Sequence, residues 1–144
     1  MRDGYVYFPG PDARDGYIYL AGHRVRDGYV YIAGPYGDSR GYHEVERNIS
    51  KARETAAFLA TNRVPFFCPH LNSAHFEVIV PDVPSEFWHD LDIRILKYAS
   101  AVLLLEFWEY SLGSTKEVEV AEKLNIPVFL PEGRHQLVDW WGFK

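Results

Sequence analysis

The stretch RDGYVYIAGPYGDSRGYHEVERNISKARETAAFLATN, residues 26–62, predicts a strand, a glycine-containing loop and an amphipathic helix in succession. Its first part alternates tyrosine with aliphatic residues and then breaks at Gly34, which is typical of a strand followed by a turn. Apolar residues then recur at helical spacing with charged residues between them: Val45, Ile49, Ala52, Ala56 and Leu59 or Ala60. A strand, a loop and a helix in this order open an α/β unit.

The beginning of this stretch is the third copy of a nine-residue repeat. RDGYVYFPG fills residues 2–10, RDGYIYLAG fills 14–22 and RDGYVYIAG fills 26–34. Only the third copy continues into a helix-forming sequence, so we expect it to provide the first core strand. Residues 1–25 are interpreted as a duplicated arm, either an edge hairpin or a loose extension, and residues 26–144 as a single domain.

Strand and helix patterns keep alternating after this unit. Short apolar runs at 64–70, 101–107 and 126–130 predict buried strands, and amphipathic segments at 85–100 and 111–125 predict helices between them. Strands that alternate with helices favour a parallel sheet with right-handed crossovers. We therefore expect an α/β fold: a small doubly wound, Rossmann-like (flavodoxin-like) parallel sheet with helices on both faces.

The composition limits the classes of function and location. Apolar residues make up 47% of the 144-residue chain and aromatic residues 16%, which favours a folded domain. A net charge of −5 disfavours extended binding to nucleic acid. The single cysteine, Cys68, cannot form an internal disulfide, and no apolar run approaches the roughly 20 residues of a membrane span. We expect a cytoplasmic domain without nucleic-acid or membrane partners.

Ligands of such sheets bind at the carboxyl ends of the strands. We expect Glu117 in the first turn of its helix, where the helix N-terminus favours an ionised carboxylate at neutral pH that can act as a nucleophile. The alternative is that Glu117 only caps its own helix. Asp90 and Asp92 on the preceding helix can supply a second carboxyl group or form a solvated acidic face. Loop residues complete the expected binding site: Gly34, Pro35, Tyr36, Gly113 and Ser114.

Three segments, SLGSTKEVEVA, DIRILKYASAVLLL and VYIAGP, together resemble the nucleoside 2-deoxyribosyltransferase family over roughly residues 29–130. The first of them contains a Gly-x-x-x-Glu-x-x-x-Ala pattern in which the glutamate is the nucleophile of that family. The resemblance implies that Glu117 forms a covalent deoxyribosyl intermediate and that Asp92 is the acid–base residue near the nucleobase. It also implies that Tyr31 hydrogen-bonds to Glu117 and orients it.

Relatives with the same signature hydrolyse 2′-deoxynucleoside 5′-monophosphates, and in them a serine just before a Leu-Gly pair contacts the phosphate. Ser111 stands at that place in this chain, and Ser39 and Arg40 lie in the loop after the first strand. An arginine and backbone amides can receive a phosphate group. The alternative for Arg40 is a surface ion pair with Asp38 or Glu44.

Aromatic residues follow the third predicted strand and end the chain. Trp108 is expected either to stack on a base or to cover an apolar neighbour, whereas Phe107 is expected in the core. The resemblance implies a homo-oligomer with shared active sites. The terminal aromatic residues Trp140, Trp141 and Phe143 suit such an interface or packing on the chain's own sheet.

The resemblance implies a transferase that moves a 2-deoxyribosyl group between nucleobases with retention of configuration. Its partners are then a deoxynucleoside or deoxynucleotide and a free nucleobase, and no metal or organic cofactor is required. Hydrolysis of deoxynucleoside 5′-monophosphates and a non-catalytic nucleotide-binding module remain alternatives. A metal site made of His70, His75 and Glu77 is a further alternative, although their spacing matches no strong ligand motif.

Overall fold

The structure is a computed structural model that describes residues 4–9, 17–20, 23–37 and 40–142. Its strands are β1 Tyr5–Tyr7, β2 Tyr17–Leu20, β3 His23–Arg26, β4 Val30–Ala33, β5 Phe66–Phe67, β6 Ala101–Leu104 and β7 Val128–Phe129. Its helices are α1 Tyr42–Thr61, α2 Pro69–Asn72, α3 Phe76–Ile79, α4 Ser85–Leu96, α5 Leu112–Lys123 and α6 Arg134–Trp141. Short 3-10 turns cover Trp108–Tyr110 and Pro131–Gly133. Within these described ranges, no helix has both the length and the apolar character needed to cross a bilayer.

The fold is α/β, and its main sheet has five strands in the order β1-β7-β6-β4-β5. The four strands β5, β4, β6 and β7 are parallel, as expected from the alternation of strands and helices. The expectation of a purely parallel sheet is wrong at one edge, because β1 pairs antiparallel with β7, with Tyr5 opposite Phe129. The sheet is therefore mixed.

The three repeat copies occupy three different places. Copy one provides β1 at the edge of the main sheet, and the strand of copy two, β2, pairs with β3 in a separate two-stranded sheet. Copy three provides β4, which lies between β5 and β6 and is completely buried. Of the strands that the three copies provide, only β4 has a neighbour on both sides and a helix after it, so the third copy is the core strand, as expected.

Side chains of β4 alternate between two apolar clusters, one on each face of the sheet. Val30 and Ile32 share their cluster with the buried face of α1 and with α6, whereas Tyr31 and Ala33 share theirs with residues of α4 and α5. The helical spacing predicted for α1 is confirmed, and Leu59 rather than Ala60 is its last buried residue. Both faces of the sheet are thus covered by helices, which leaves the carboxyl ends of the strands as the place for a ligand.

The aromatic residues of α6 pack on the chain's own sheet. Trp141 is buried in the same cluster as α1, and Trp140 packs against that cluster. Arg26 is also buried, its guanidinium lies 4.0 Å from the centre of the Trp140 ring, and it donates hydrogen bonds to the carbonyl oxygens of Trp140 (2.9 Å) and Trp141 (3.2 Å). Trp141 is therefore a core residue, and Trp140 packs on the same sheet while remaining partly exposed. Phe143 lies outside the described residues.

Candidate active site

A cavity of about 900 Å³ opens at the carboxyl ends of β4, β5 and β6. This volume lies within the usual range of small-molecule sites, roughly 300–1,000 Å³. Loops after the three strands and one face of α4 form its walls. Nine of the twelve site residues expected from the sequence line it: Gly34, Pro35, Tyr36, Arg40, Asp92, Ser111, Gly113, Ser114 and Glu117.

The nucleophile candidate Glu117 is held by a hydrogen bond from the sheet. The hydroxyl of Tyr31 donates to Oε2 of Glu117 at 2.6 Å, across 86 positions of sequence. Tyr31 itself is completely buried, and its ring stacks on Phe67 with 6.2 Å between ring centres. Burial raises the pKa of Tyr31, and the nearby carboxylates Glu117 and Asp92 raise it further, so this hydroxyl stays protonated and acts as a donor. One oxygen of Glu117 is therefore fixed by Tyr31.

The expected position of Glu117 in the first helical turn is wrong. Helix α5 begins at Leu112, so Glu117 is its sixth residue and lies in the second turn. The cap is supplied by Ser111, whose Oγ accepts a hydrogen bond from the backbone N–H of Ser114 at 3.2 Å. Because the effect of the helix dipole fades beyond the first turn, it does not keep this carboxylate ionised, and Glu117 does not cap its own helix.

Burial is the main influence on the charge of Glu117. It raises the pKa of Glu117 to about 7; the hydrogen bond from Tyr31 lowers this pKa, and the nearby charge of Asp92 raises it. The expectation that Glu117 is fully ionised at neutral pH is therefore corrected: protonated and ionised forms are present in comparable amounts near pH 7. The site holds a carboxyl group that both gains and loses a proton in the physiological range.

Asp92 is the second carboxyl group of the cavity. It lies four residues after Trp88 on α4, so both side chains point from the same helix face, and both line the cavity. Burial raises the pKa of Asp92 to about 6. Asp90 does not line the cavity; it is exposed and forms an ion pair with Arg94 at 2.9 Å. Asp90 therefore belongs to the solvated acidic face, and its expected role in substrate binding is withdrawn.

The core position expected for Phe107 is wrong, and of the two alternatives for Trp108 the structure shows packing on an apolar neighbour. Trp108 does not line this cavity and packs against the apolar cluster that contains Tyr31, whereas Phe107 is 60% exposed and lines the cavity. β6 ends at Leu104, and the backbone of Phe107 is left-handed, with φ 68°, so the chain turns away from the strand direction here. Trp108 therefore covers an apolar neighbour, and the aromatic ring at the cavity rim is that of Phe107.

The loop after β4 is braced against the wall formed by α3. The hydroxyl of Tyr36 donates to Glu77 at 3.0 Å and accepts a hydrogen bond from the backbone N–H of His75 at 2.7 Å. Arg40 lies at the rim with its side chain 71% exposed and pairs with Glu44 at 3.5 Å. The surface pair proposed for Arg40 is thus present, while Asp38 and Ser39 lie outside the described residues.

Gly34 lines the cavity, and close packing against Leu105 requires a glycine at this position. A Cβ atom at this position would lie 2.5 Å from the Cβ of Leu105, at the end of the neighbouring strand β6. Only a residue without a side chain lets the loop after β4 pass this close to β6. Gly34 therefore allows β4 and β6 to deliver their following loops to one cavity.

His70 is a site residue that the sequence interpretation treated only as a metal ligand. It is 4% exposed, lines the cavity and shares a hydrogen bond of 2.8 Å between Nε2 and the carbonyl oxygen of Pro35. Its only signal in the sequence is its position just after a predicted strand. His75 pairs instead with Glu46, and the described part of the chain contains no group of three His, Cys, Asp or Glu residues placed to hold a metal.

Comparison with known proteins found a match to one protein family. A protein family described as a domain of unknown function (DUF7768) matches residues 28–130, which include β4 to β7 and every residue of the cavity named above. No curated protein and no solved structure matches the chain.

Proposed function

This chain belongs to the DUF7768 family, whose description assigns no activity, and we propose that it transfers a 2-deoxyribosyl group between nucleobases. The observation that carries this proposal is the hydrogen bond from Tyr31 to Glu117 at the wall of a cavity that also contains Asp92. A retaining glycosyl transfer requires two carboxyl groups, a nucleophile and an acid–base residue, and here Glu117, oriented by Tyr31, and Asp92 can take these roles.

In the first step of the proposed reaction, Oε1 of Glu117 attacks C1′ of the sugar, because Oε2 is occupied by Tyr31. The bond from C1′ to the base nitrogen breaks through an oxocarbenium-like transition state, and its electron pair goes to the departing base. Protonated Asp92 gives its proton to that base. The product of this step is a deoxyribosyl ester of Glu117 and a free nucleobase.

In the second step another nucleobase attacks C1′ from the side that the first base has left. This base loses a proton to Asp92, and Glu117 is released as a carboxylate. Two successive inversions retain the configuration at C1′. With a pKa of about 7 for Glu117 and about 6 for Asp92, the single proton of the pair near pH 6.5 lies mainly on Glu117, and the reactive form, with Glu117 ionised and Asp92 protonated, is a minority of roughly a tenth.

The order of the parallel strands supports a finer description of the fold. In chain order the parallel strands are β4, β5, β6 and β7, and their spatial order β5-β4-β6-β7 is that of a doubly wound, flavodoxin-like sheet. Ligands in such sheets bind where the strand order reverses, which here is between β4 and β6. Tyr31 comes from β4, and Glu117 lies in the helix that follows β6. We propose this fold type with β1 as an added antiparallel edge strand.

Hydrolysis of deoxynucleoside 5′-monophosphates is the second candidate function. It is favoured by Arg40 and Ser111, which both line the cavity, because a cation and a hydroxyl at the rim can receive a phosphate group. Water then replaces the second nucleobase as the group that attacks the intermediate. Arg40→Met separates the candidates, since it should weaken turnover of a monophosphate and leave that of a nucleoside within about twofold.

The decisive assay is incubation of the protein with deoxyinosine and adenine, and separately with deoxynucleoside 5′-monophosphates. New deoxyadenosine supports the transferase, and free base with deoxyribose phosphate supports the hydrolase. Glu117→Ala should abolish either activity, while Glu119→Gln, which alters an exposed carboxylate of the same helix, should leave it unchanged. Binding of nucleotides without turnover by the unaltered protein would favour the non-catalytic module and refute both reactions.

We also propose that the protein acts as a homo-oligomer in the cytoplasm. Large apolar side chains are exposed at the mouth of the cavity, with Leu112 81% and Tyr110 86% exposed, and a second copy could cover them. The free and buried thiol of Cys68 accords with a reducing compartment. Sedimentation at several concentrations tests the assembly, and a monomer at the concentration of the activity assay would contradict it.

A further inference from the structure

The imidazole of His70 presents an unused hydrogen-bond acceptor inside the fold. The carbonyl oxygen of Pro35 can only accept, so Nε2 of His70 must carry the proton of the 2.8 Å hydrogen bond between them. Burial lowers the pKa of His70, which keeps the ring neutral. A neutral imidazole with its proton on Nε2 has a lone pair on Nδ1. The hydrogen bond to Pro35 thus fixes the tautomer of the ring, and Nδ1 is a hydrogen-bond acceptor.

Nδ1 of His70 is buried and has no hydrogen-bond partner among the described residues. Two other residues of the same cavity share this property: Nε1 of Trp88 and Oγ of Ser114 are buried and unpartnered within the described chain. Buried polar atoms are rarely left unpaired, because each costs about 1–3 kcal/mol. The three residues that carry these atoms all line one cavity, which points to a polar ligand that completes their hydrogen bonding.

We propose that Nδ1 of His70 accepts a hydrogen bond from a hydroxyl group of the deoxyribose, and that His70 thereby selects substrates with that hydroxyl free. This inference rests on the proposed function, since it takes a deoxynucleoside as the ligand. A sugar hydroxyl can donate a hydrogen bond to a neutral acceptor such as Nδ1 of His70. In the proposed reaction Glu117 acts on C1′ and Asp92 on the base, so neither carboxyl group is assigned to the other sugar hydroxyls. His70 is then a specificity-determining residue of the cavity wall.

The test compares three ligands on Glu117→Gln protein, which holds them without turnover: 2′-deoxyadenosine, 2′,3′-dideoxyadenosine and 2′,5′-dideoxyadenosine. Affinity is measured by calorimetry, and the imidazole nitrogens are followed by ¹⁵N NMR with the His70 signals assigned by their loss in His70→Phe. We expect 2′-deoxyadenosine to shift the Nδ1 signal upfield while Nε2 stays protonated. Removing the recognised hydroxyl should abolish this shift and weaken binding roughly 5- to 150-fold.

The remaining outcomes separate this inference from the proposed function. If 2′-deoxyadenosine binds and the Nδ1 signal does not move, or moves equally with all three ligands, then His70 accepts no sugar hydroxyl although the proposed function stands. If none of the three ligands binds, the deoxynucleoside itself is excluded and both proposals fail. The three ligands are compared by NMR on protein that retains His70, so the comparison tests the inference even if His70→Phe alters stability.

Discussion

Replacing Glu117 by Gln should stabilise the protein, and more so as the pH rises. Glu117 has a pKa of about 7 in the folded protein against an ordinary value of 4.5, because it is buried. Its protonated form therefore contributes stability that is fully present below pH 4.5 and is lost as the pH rises through 7. Glutamine imitates the protonated carboxyl at every pH and can still accept the hydrogen bond of Tyr31, so it avoids this loss.

The size of the effect follows from the difference between the two pKa values. Because the unfolded chain ionises Glu117 more readily than the folded protein does, the free energy of unfolding is lower by about 1 kcal/mol at pH 5 and by about 3 kcal/mol at pH 8 than at low pH. At roughly 3 °C per kcal/mol for a chain of this length, the advantage of Glu117→Gln in melting temperature should grow by roughly 5–10 °C between these pH values.

Thermal unfolding at pH 5, 6, 7 and 8, followed by circular dichroism or calorimetry, measures this trend. Glu119→Gln is the matched control, because it removes the same charge from an exposed position of the same helix and should change the melting temperature by only about 1–2 °C throughout. An advantage of Glu117→Gln that is equal at pH 5 and pH 8 would refute the inference that burial raises the pKa of Glu117.

Three further predictions concern the same groups and the anchoring of the last helix. The kcat/KM of the proposed reaction should be bell-shaped between pH 4.5 and 9, with limbs near 6 and 7 that belong to the Glu117–Asp92 pair; a flat profile would contradict the role of this pair. Tyr31→Phe removes the donor that favours ionised Glu117, so kcat should fall roughly 10-fold or more and the alkaline limb should move to higher pH. Arg26→Met should lower the free energy of unfolding by about 2–4 kcal/mol in urea titrations, while Arg94→Met, which breaks an exposed ion pair, should change it by less than about 0.5 kcal/mol.

Local patterns were sufficient to predict most elements of the fold. The spacing of Ile49, Ala52 and Ala56 predicted the buried face of α1, and the apolar run at 101–107 predicted the buried strand β6. Such patterns work because the 3.6-residue and two-residue periods arise from which side of one element is buried. The edge position and antiparallel direction of β1 were not predictable in this way, because they depend on pairing with β7 from the other end of the chain.

The backbone after β6 is a second feature that local sequence patterns did not predict. The apolar run at 101–107 predicted Phe107 in the core and left the environment of Trp108 open, whereas Phe107 has a left-handed backbone and lies at the cavity rim. The side chain of a phenylalanine does not favour a positive φ, so the local sequence did not predict the left-handed backbone at this residue. The place of His70 in the cavity wall was missed for a related reason: that one ring nitrogen is bonded to Pro35 and the other has no partner among the described residues follows only from the tertiary structure.

By itself the sequence determined the α/β character of the chain, the helix that contains Glu117 and the edge of the sheet at which a ligand site forms. Only the tertiary structure decided which groups meet there and in what state of charge. Tyr31 and Glu117 are 86 positions apart, and their hydrogen bond exists because neighbouring parallel strands bring them together. The pKa of Glu117 rises for the same reason: water is excluded by side chains from distant parts of the chain, and no property of the glutamate or its sequence neighbours records that exclusion.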